Sequence, residues 1–151
     1  MNETNMGNKL KRLIVALIGE TGSGKSTIAS ICTDAEIHPI IAGKSGKKGT
    51  TKSVIEMTYR KDFYEFNIDE FKKSFEKDKQ SQDGRVKIAF PLSTNIDLSI
   101  FNAMTILDTQ GINDWKTNEE KDRVHSTILD ACRETDIIFV TIPDGGSPRL
   151  G

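Results

Sequence analysis

The feature that most constrains the fold is the segment 19–26, Gly-Glu-Thr-Gly-Ser-Gly-Lys-Ser, which has the pattern G-x-x-x-x-G-K-S. It follows an apolar run at residues 11–18 that predicts a buried strand, and precedes a helical pattern from residue 26 to about 35. A glycine-rich turn in this context lets successive backbone N–H groups face one concavity, at the positive end of a helix. We therefore predict a phosphate-binding loop rather than an ordinary flexible turn.

Two side chains at the end of this loop are suited to bind the phosphates of a nucleotide and its Mg²⁺ ion. The ammonium group of Lys25 can reach the β- and γ-phosphates, and the hydroxyl of Ser26 can bind Mg²⁺. We expect the nucleotide-binding residues here to be Gly19, Glu20, Thr21, Gly22, Ser23, Gly24, Lys25, Ser26 and Thr27.

The rest of the chain alternates between strand and helix patterns. Further strands are predicted at residues 54–59, 85–92, 101–107 and 137–142, and further helices begin after Asn67 and Thr117. Both of these residues have a glutamate three positions later, which is typical of a helix N-terminus. Pro39 is predicted to end the helical region that follows the phosphate-binding loop. Strands alternating with helices predict an α/β fold with a mostly parallel sheet.

Composition excludes several classes of protein. A chain of 151 residues is long enough for one domain with a sizeable core. Its net charge of −1, from 21 basic and 22 acidic residues, gives no overall field that would attract nucleic acid or an anionic membrane. Two cysteines predict reduced thiols rather than a disulfide framework, and no apolar run is long enough to span a membrane. We expect a cytoplasmic location.

A second motif, D-x-x-G, follows the strand predicted at residues 101–107. Asp108, at the tip of this strand, can hold Mg²⁺, usually through a water molecule, and the backbone N–H of Gly111 can sense a γ-phosphate. This motif is weak alone, but it is informative after an apolar strand downstream of a phosphate-binding loop.

A third element is Gly49-Thr50-Thr51, in the loop between the first helix and the second strand. Thr50 or Thr51 can close over the γ-phosphate, assist its transfer together with Lys25, and complete the Mg²⁺ ligands. The sequence does not decide between the two threonines, and an ordinary polar loop remains the alternative.

Together these three motifs resemble those of a TRAFAC-type P-loop GTPase, of the septin and immune-associated branch or a bacterial relative. The resemblance implies a three-layer G domain that binds GTP with Mg²⁺, hydrolyses it slowly, and switches two loops between ordered and released states. It also implies a homodimer or an activating protein as a partner. On this basis residues 1–10 are a polar tail and residues 11–151 a G domain, with an insertion at about 60–100.

The chain departs from the family pattern after Gly111, where Ile112 replaces the glutamine that orients the attacking water in many small GTPases. Gln110 lies on the other side of the glycine, and we do not assign it that role. We therefore expect hydrolysis to be slow, or to depend on a partner. Residues 59–101 also exceed the usual hairpin, and are predicted to contain an inserted helix and an extra strand.

The guanine-selecting motif N/T-K-x-D does not occur in the chain. Nothing in the sequence therefore distinguishes GTP from ATP, and two alternatives stay open: an ATPase on the same scaffold, and an interaction module that binds nucleotide without hydrolysing it. The last strands and helices of a full G domain have no counterpart either, so we expect the chain to be the N-terminal part of a longer domain. The strand at 137–142 would then lie at an uncovered edge, which favours association.

Overall fold

The computed structural model describes residues 12–31, 33–42, 53–60, 67–79, 85–91 and 103–143. The predicted polar tail at 1–10 lies outside them. Five strands and four helices follow one another along the described chain. Their bounds are β1 (Leu13–Gly19), α1 (Lys25–Ser30), α2 (His38–Ala42), β2 (Val54–Arg60), α3 (Ile68–Lys79), β3 (Arg85–Pro91), β4 (Met104–Asp108), α4 (Asn118–Arg133) and β5 (Ile137–Thr141). None of these helices is long and apolar enough to cross a membrane.

The strands form one sheet in the order β3-β2-β4-β1-β5. β1 is parallel to β4 and to β5, and β2 is parallel to β3, whereas β2 and β4 are antiparallel. The prediction of a mostly parallel α/β sheet is therefore confirmed. In this register Leu17 lies opposite Asp108, so the carboxyl ends of β1 and β4 reach the same edge of the sheet.

Helices cover both faces of the sheet. Successive side chains of a strand point to opposite faces, so each strand contributes to the core on both sides. In β1, for example, Leu17 and Ala16 belong to different hydrophobic clusters. The larger cluster joins the sheet to the α1–α2 segment and α3; its buried members are Leu17, Ala29, Ile37, Ile41, Ile55, Met57, Tyr59, Phe75, Phe90 and Ile106. The smaller cluster joins Ala16, Val54 and Leu107 to Ala131 of α4. The protein thus has three layers.

The helix after the phosphate-binding loop is shorter than predicted, because side-chain hydroxyls compete for its backbone carbonyls. Ser30 Oγ donates to the carbonyl of Thr27, and Thr33 Oγ1 to that of Ser30, each at 2.7 Å. Such local bonds favour chain reversal over helix continuation. The prediction for Pro39 is wrong: it lies in the first turn of α2, where the missing N–H leaves no intrahelical bond broken.

The two predicted helix caps are confirmed. Asn67 Oδ1 accepts hydrogen bonds from the backbone N–H groups of Asp69 and Glu70 at 3.0 and 3.1 Å. Thr117 Oγ1 accepts one from the N–H of Glu120 at 3.2 Å. These oxygens satisfy N–H groups that have no partner within the helix, which places the starts of α3 and α4.

In the described part of the segment between β2 and β4, the structure has the predicted helix, α3, and the predicted extra strand, β3. β3 forms the edge of the sheet beside β2, and Arg85 at its start makes a two-pronged ion pair with Glu134 after α4. The shorter prong joins Nη2 to Oε1, and the other joins Nη1 to Oε2 at 2.8 Å. This pair joins the edge strand to the helix on one face of the sheet.

We expect Glu134→Gln to lower the free energy of unfolding at neutral pH by less than about 1 kcal/mol, as for other partly exposed pairs. The hydrogen bond from Arg85 lowers the pKa of Glu134 below its ordinary value of 4.5. The stabilisation is therefore present above that value and is lost as the pH falls through the lower pKa of the folded protein. Urea unfolding at neutral and at acid pH measures it. A difference between the two proteins that persists unchanged in acid would contradict the assignment.

Strand β5 lies at the other edge of the described sheet and leaves much apolar surface exposed. Phe139 is 53% and Val140 69% exposed, and Ile137 and Ile138 are also exposed. These residues alternate along the strand, so both faces of β5 are apolar and accessible to solvent. The predicted uncovered edge is present in the described sheet, and an edge of this kind favours association.

Candidate functional site

The phosphate-binding loop has the backbone shape that its glycines predict. Gly22 and Gly24 have φ angles of +79° and +93°, a left-handed region that other residues rarely adopt. Gly24 directly precedes α1, and a Cβ atom added at either glycine would meet nothing within 4 Å. The loop is therefore open on the side of these two residues, as a cradle for phosphate requires.

Hydrogen bonds within the loop and to β5 hold it in place. The N–H and the hydroxyl of Ser23 both donate to the carbonyl of Glu20, at 3.2 and 2.7 Å. Ser23 Oγ also lies 2.5 Å from Thr141 Oγ1, and Thr141 packs so closely on Gly19 that an added Cβ would lie 2.5 Å from its carbonyl oxygen. No motif in the sequence singled out Thr141, because its role arises from the pairing of β1 with β5.

The side chain of Lys25 is folded back beneath the loop. Its Nζ atom donates to the carbonyls of Gly19 at 3.1 Å and Glu20 at 2.7 Å, and the residue is only 7% exposed. Burial lowers the pKa of Lys25, and the carboxylates of Asp108 and Asp114 partly oppose that shift. An ammonium group that has lost much of its hydration gains more from a bound anion than an exposed one would.

The two predicted metal ligands from the first and second motifs lie in contact. Ser26, in the first turn of α1, donates its hydroxyl to Asp108 Oδ2 at 2.6 Å. Asp108 is buried at the end of β4, and 82 positions separate the two residues in the chain. A hydroxyl and a carboxylate are the hard oxygen donors that Mg²⁺ prefers when it also binds phosphates, so these residues fit that ion.

The side-chain amide of Gln110 is hydrogen-bonded within the loop that follows β4. Its Nε2 atom donates to the carbonyl and to Oδ2 of Asp114, both at 3.1 Å, and the residue is 6% exposed. The neighbouring Thr109 is fully buried and donates from Oγ1 to the carbonyl of Leu17 at 2.8 Å. The sequence did not indicate these roles: Thr109 joins the segment after Asp108 to β1, and Gln110 holds together the loop that follows.

The loop that follows β4 lies directly on the phosphate-binding loop. The N–H of Ile112 donates to the carbonyl of Gly19 at 3.1 Å, and the N–H of Thr21 donates to Asn113 Oδ1 at 2.9 Å. Gly111 packs against Thr21 so tightly that an added Cβ would lie 2.6 Å from the Thr21 nitrogen. Sequence reasoning missed Asn113, since an asparagine in a polar loop has no distinguishing pattern.

Helix α4 supports this loop from outside. Nε2 of His125 lies 3.2 Å from the carbonyl of Ile112, and the ammonium of Lys121 lies 5.2 Å from the centroid of the Trp115 ring. A carbonyl only accepts hydrogen bonds, so His125 donates here. The chain's single tryptophan therefore lies next to the second motif.

The third predicted element, Gly49-Thr50-Thr51, lies outside the described residues, so the roles of Thr50 and Thr51 remain predictions. Among the parts of the chain that the structure describes, no cluster of three or more His, Cys, Asp and Glu side chains could hold a metal. The candidate Mg²⁺ site instead consists of one hydroxyl and one carboxylate, with phosphate oxygens still to be supplied.

A comparison with known protein families agrees with this geometry. A family model described as "50S ribosome-binding GTPase" matches residues 14–149. The matched segment begins in β1 and includes the phosphate-binding loop and the D-x-x-G motif. A search of curated proteins found no match.

Proposed function

This chain belongs to the 50S ribosome-binding GTPase family, a membership that implies binding of a guanine nucleotide, and from it we propose a switch protein that hydrolyses GTP slowly with Mg²⁺. The contact between Ser26 Oγ and Asp108 Oδ2 carries the proposal. It unites the end of the phosphate-binding loop with the D-x-x-G motif, as a shared Mg²⁺–phosphate site requires.

Binding of the phosphates rests on the loop and on Lys25. The positive φ angles of Gly22 and Gly24 open a concavity at the start of α1, where backbone N–H groups and the helix dipole favour an anion. Lys25 Nζ, held by the carbonyls of Gly19 and Glu20, gains the β- and γ-phosphate oxygens as additional partners. Its charge opposes the negative charge that develops on the transferred group.

Ser26 and Asp108 are the residues that would hold Mg²⁺ in this proposal. When bound, this ion neutralises phosphate charge and aligns the β- and γ-phosphates. Asp108 Oδ2 accepts a hydrogen bond from the hydroxyl of Ser26, so the lone pairs of the serine oxygen are directed away from the carboxylate. Thr50 or Thr51 is proposed to close over the γ-phosphate.

The two residues on either side of Gly111 support slow hydrolysis, since neither is suited to orient an attacking water molecule. The amide of Gln110 is engaged by Asp114, and Ile112 offers no polar group to orient a water molecule. Neither residue is therefore suited to that task in this conformation. We infer that a homodimer or an activating protein supplies the missing group, and that hydrolysis accelerates when it binds.

The proposed function is tested by titrating fluorescent GTP and ATP analogues into the purified chain, with and without Mg²⁺, and by measuring phosphate release. We expect tighter binding of the guanine analogue, and slow release that requires Mg²⁺. Equal affinity for the two analogues would favour an ATPase or an unselective nucleotide site. Binding without any Mg²⁺-dependent release would favour an interaction module instead.

A further inference from the structure

The loop after β4 is joined to the first turn of the phosphate-binding loop by two hydrogen bonds of different character. Ile112 uses its backbone N–H to reach the Gly19 carbonyl, a bond that any residue at this position could form. Asn113 uses its side chain, which accepts from the N–H of Thr21 at 2.9 Å. The second bond therefore depends on the identity of residue 113.

Little space separates the two loops at this point. A Cβ atom added to Gly111 would lie 2.6 Å from the nitrogen and 2.9 Å from the Cα atom of Thr21. The D-x-x-G motif predicts that the backbone N–H of Gly111 contacts the γ-phosphate, which must then lie between Gly111 and the phosphate-binding loop. Thr21 fills part of that space in the described conformation.

The backbone that carries Asn113 is held in a closed turn. The N–H of Asp114 donates to the carbonyl of Gly111 at 3.0 Å, Gln110 binds Asp114, and His125 lies at hydrogen-bond distance from the carbonyl of Ile112. The Asn113 side chain itself is exposed, so water can replace its bond to Thr21 when the loop moves away. A solvent-accessible bond on a braced turn is suited to reversible opening.

Resting on the proposed function, we propose that Asn113 determines how strongly the site discriminates between guanosine triphosphate and diphosphate. Its amide oxygen holds Gly111 against Thr21, which is compatible with a diphosphate but must be released to admit a third phosphate. The free energy needed to release this hydrogen bond lowers the apparent affinity for the triphosphate and leaves the affinity for the diphosphate unchanged. Asn113 is a positioning residue, since it acts through the placement of Gly111.

Two substitutions at this position have opposite expected effects. Asn113→Ala removes the acceptor. The loss of one ordinary hydrogen bond should raise the affinity for a non-hydrolysable GTP analogue about fivefold relative to the affinity for GDP. Asn113→Asp keeps an acceptor, strengthens the bond through its charge and repels a third phosphate, so the same ratio should fall. A merely structural role would move both variants in one direction.

The experiment measures the affinities of fluorescent GDP and of the non-hydrolysable GTP analogue, together with the amide exchange rate of Thr21 by NMR in the nucleotide-free protein. Exchange at Thr21 should accelerate in Asn113→Ala and stay slow in Asn113→Asp. Asn118→Ala, which removes an exposed asparagine at the start of α4, is the matched control and should change neither quantity.

Opposite shifts of the affinity ratio support the inference. If both nucleotides bind and the ratio is the same in all proteins, the inference is overturned while the proposed function stands. If the unaltered chain binds neither guanine nucleotide, the proposed function fails and the inference fails with it. The Thr21 exchange rates then still report whether Asn113 holds the two loops together.

Discussion

Replacing Lys25 with alanine is expected to abolish nucleotide binding, with a loss of affinity of at least about 100-fold. Hydrogen bonds to charged groups contribute roughly 1.5–3 kcal/mol each, and the proposed site has Lys25 binding two phosphates. The buried position strengthens the effect, because burial lowers the pKa of Lys25 and a bound anion compensates the charge that the fold has partly dehydrated. Titration of a fluorescent GTP analogue measures the loss.

The control for this substitution is Lys72→Ala, which removes the same charge from an exposed position on a different helix, α3. Circular dichroism and thermal unfolding show whether Lys25→Ala remains folded. Folding is expected to persist, since the substitution removes a buried cation and leaves only two carbonyls, Gly19 and Glu20, without that donor. Equal affinity in Lys25→Ala and the unaltered chain would contradict the assignment of the phosphate site.

Asp108→Asn is expected to slow Mg²⁺-dependent phosphate release by roughly 10- to 100-fold, the usual effect of removing a group that supports a metal through its other ligands. The amide keeps an oxygen that can accept a hydrogen bond from the hydroxyl of Ser26, so the local packing is preserved. The substitution removes the negative charge that attracts the metal ion. Phosphate release measured over a range of Mg²⁺ concentrations reports the change, and raised Mg²⁺ should restore part of the rate.

The matched control is Asp122→Asn, which neutralises an exposed carboxylate on α4. A second check is Ser26→Ala, which removes the partner hydroxyl. If Ser26 and Asp108 serve one metal ion, the double variant should lose less than the product of the two single effects. Unchanged Mg²⁺ dependence in Asp108→Asn would show that the carboxylate has another purpose.

Much of the fold could be predicted from local patterns. The apolar runs that became β1 and β4 are short and rich in branched residues, as is typical of strands buried between two helical layers. Asn67 and Thr117 could be assigned as caps because their oxygens act within a few positions of their own place in the chain. The order of strands across the sheet, and the position of β3 outside β2, depended on contacts between distant segments.

Two local predictions failed for physical reasons that are visible in the structure. The helix after the phosphate-binding loop stops at Ser30, since hydroxyl groups of Ser30 and Thr33 bind its carbonyls. Pro39 lies in the first turn of α2 instead of ending a helix, because that turn tolerates a residue without an N–H. Apolar periodicity shows neither the side-chain hydrogen bonds that end the first helix nor the helix start that accommodates the proline.

By itself the sequence determined the phosphate-binding loop, the D-x-x-G motif and the α/β class, because each depends on residue types at fixed spacing along a strand or helix. Only the tertiary structure brought Ser26 and Asp108 to 2.6 Å, buried Lys25, and placed Asn113 on Thr21. These contacts join segments more than 80 positions apart or depend on burial by the whole sheet. Their geometry follows from the pairing of β1 with β4, which no local pattern encodes.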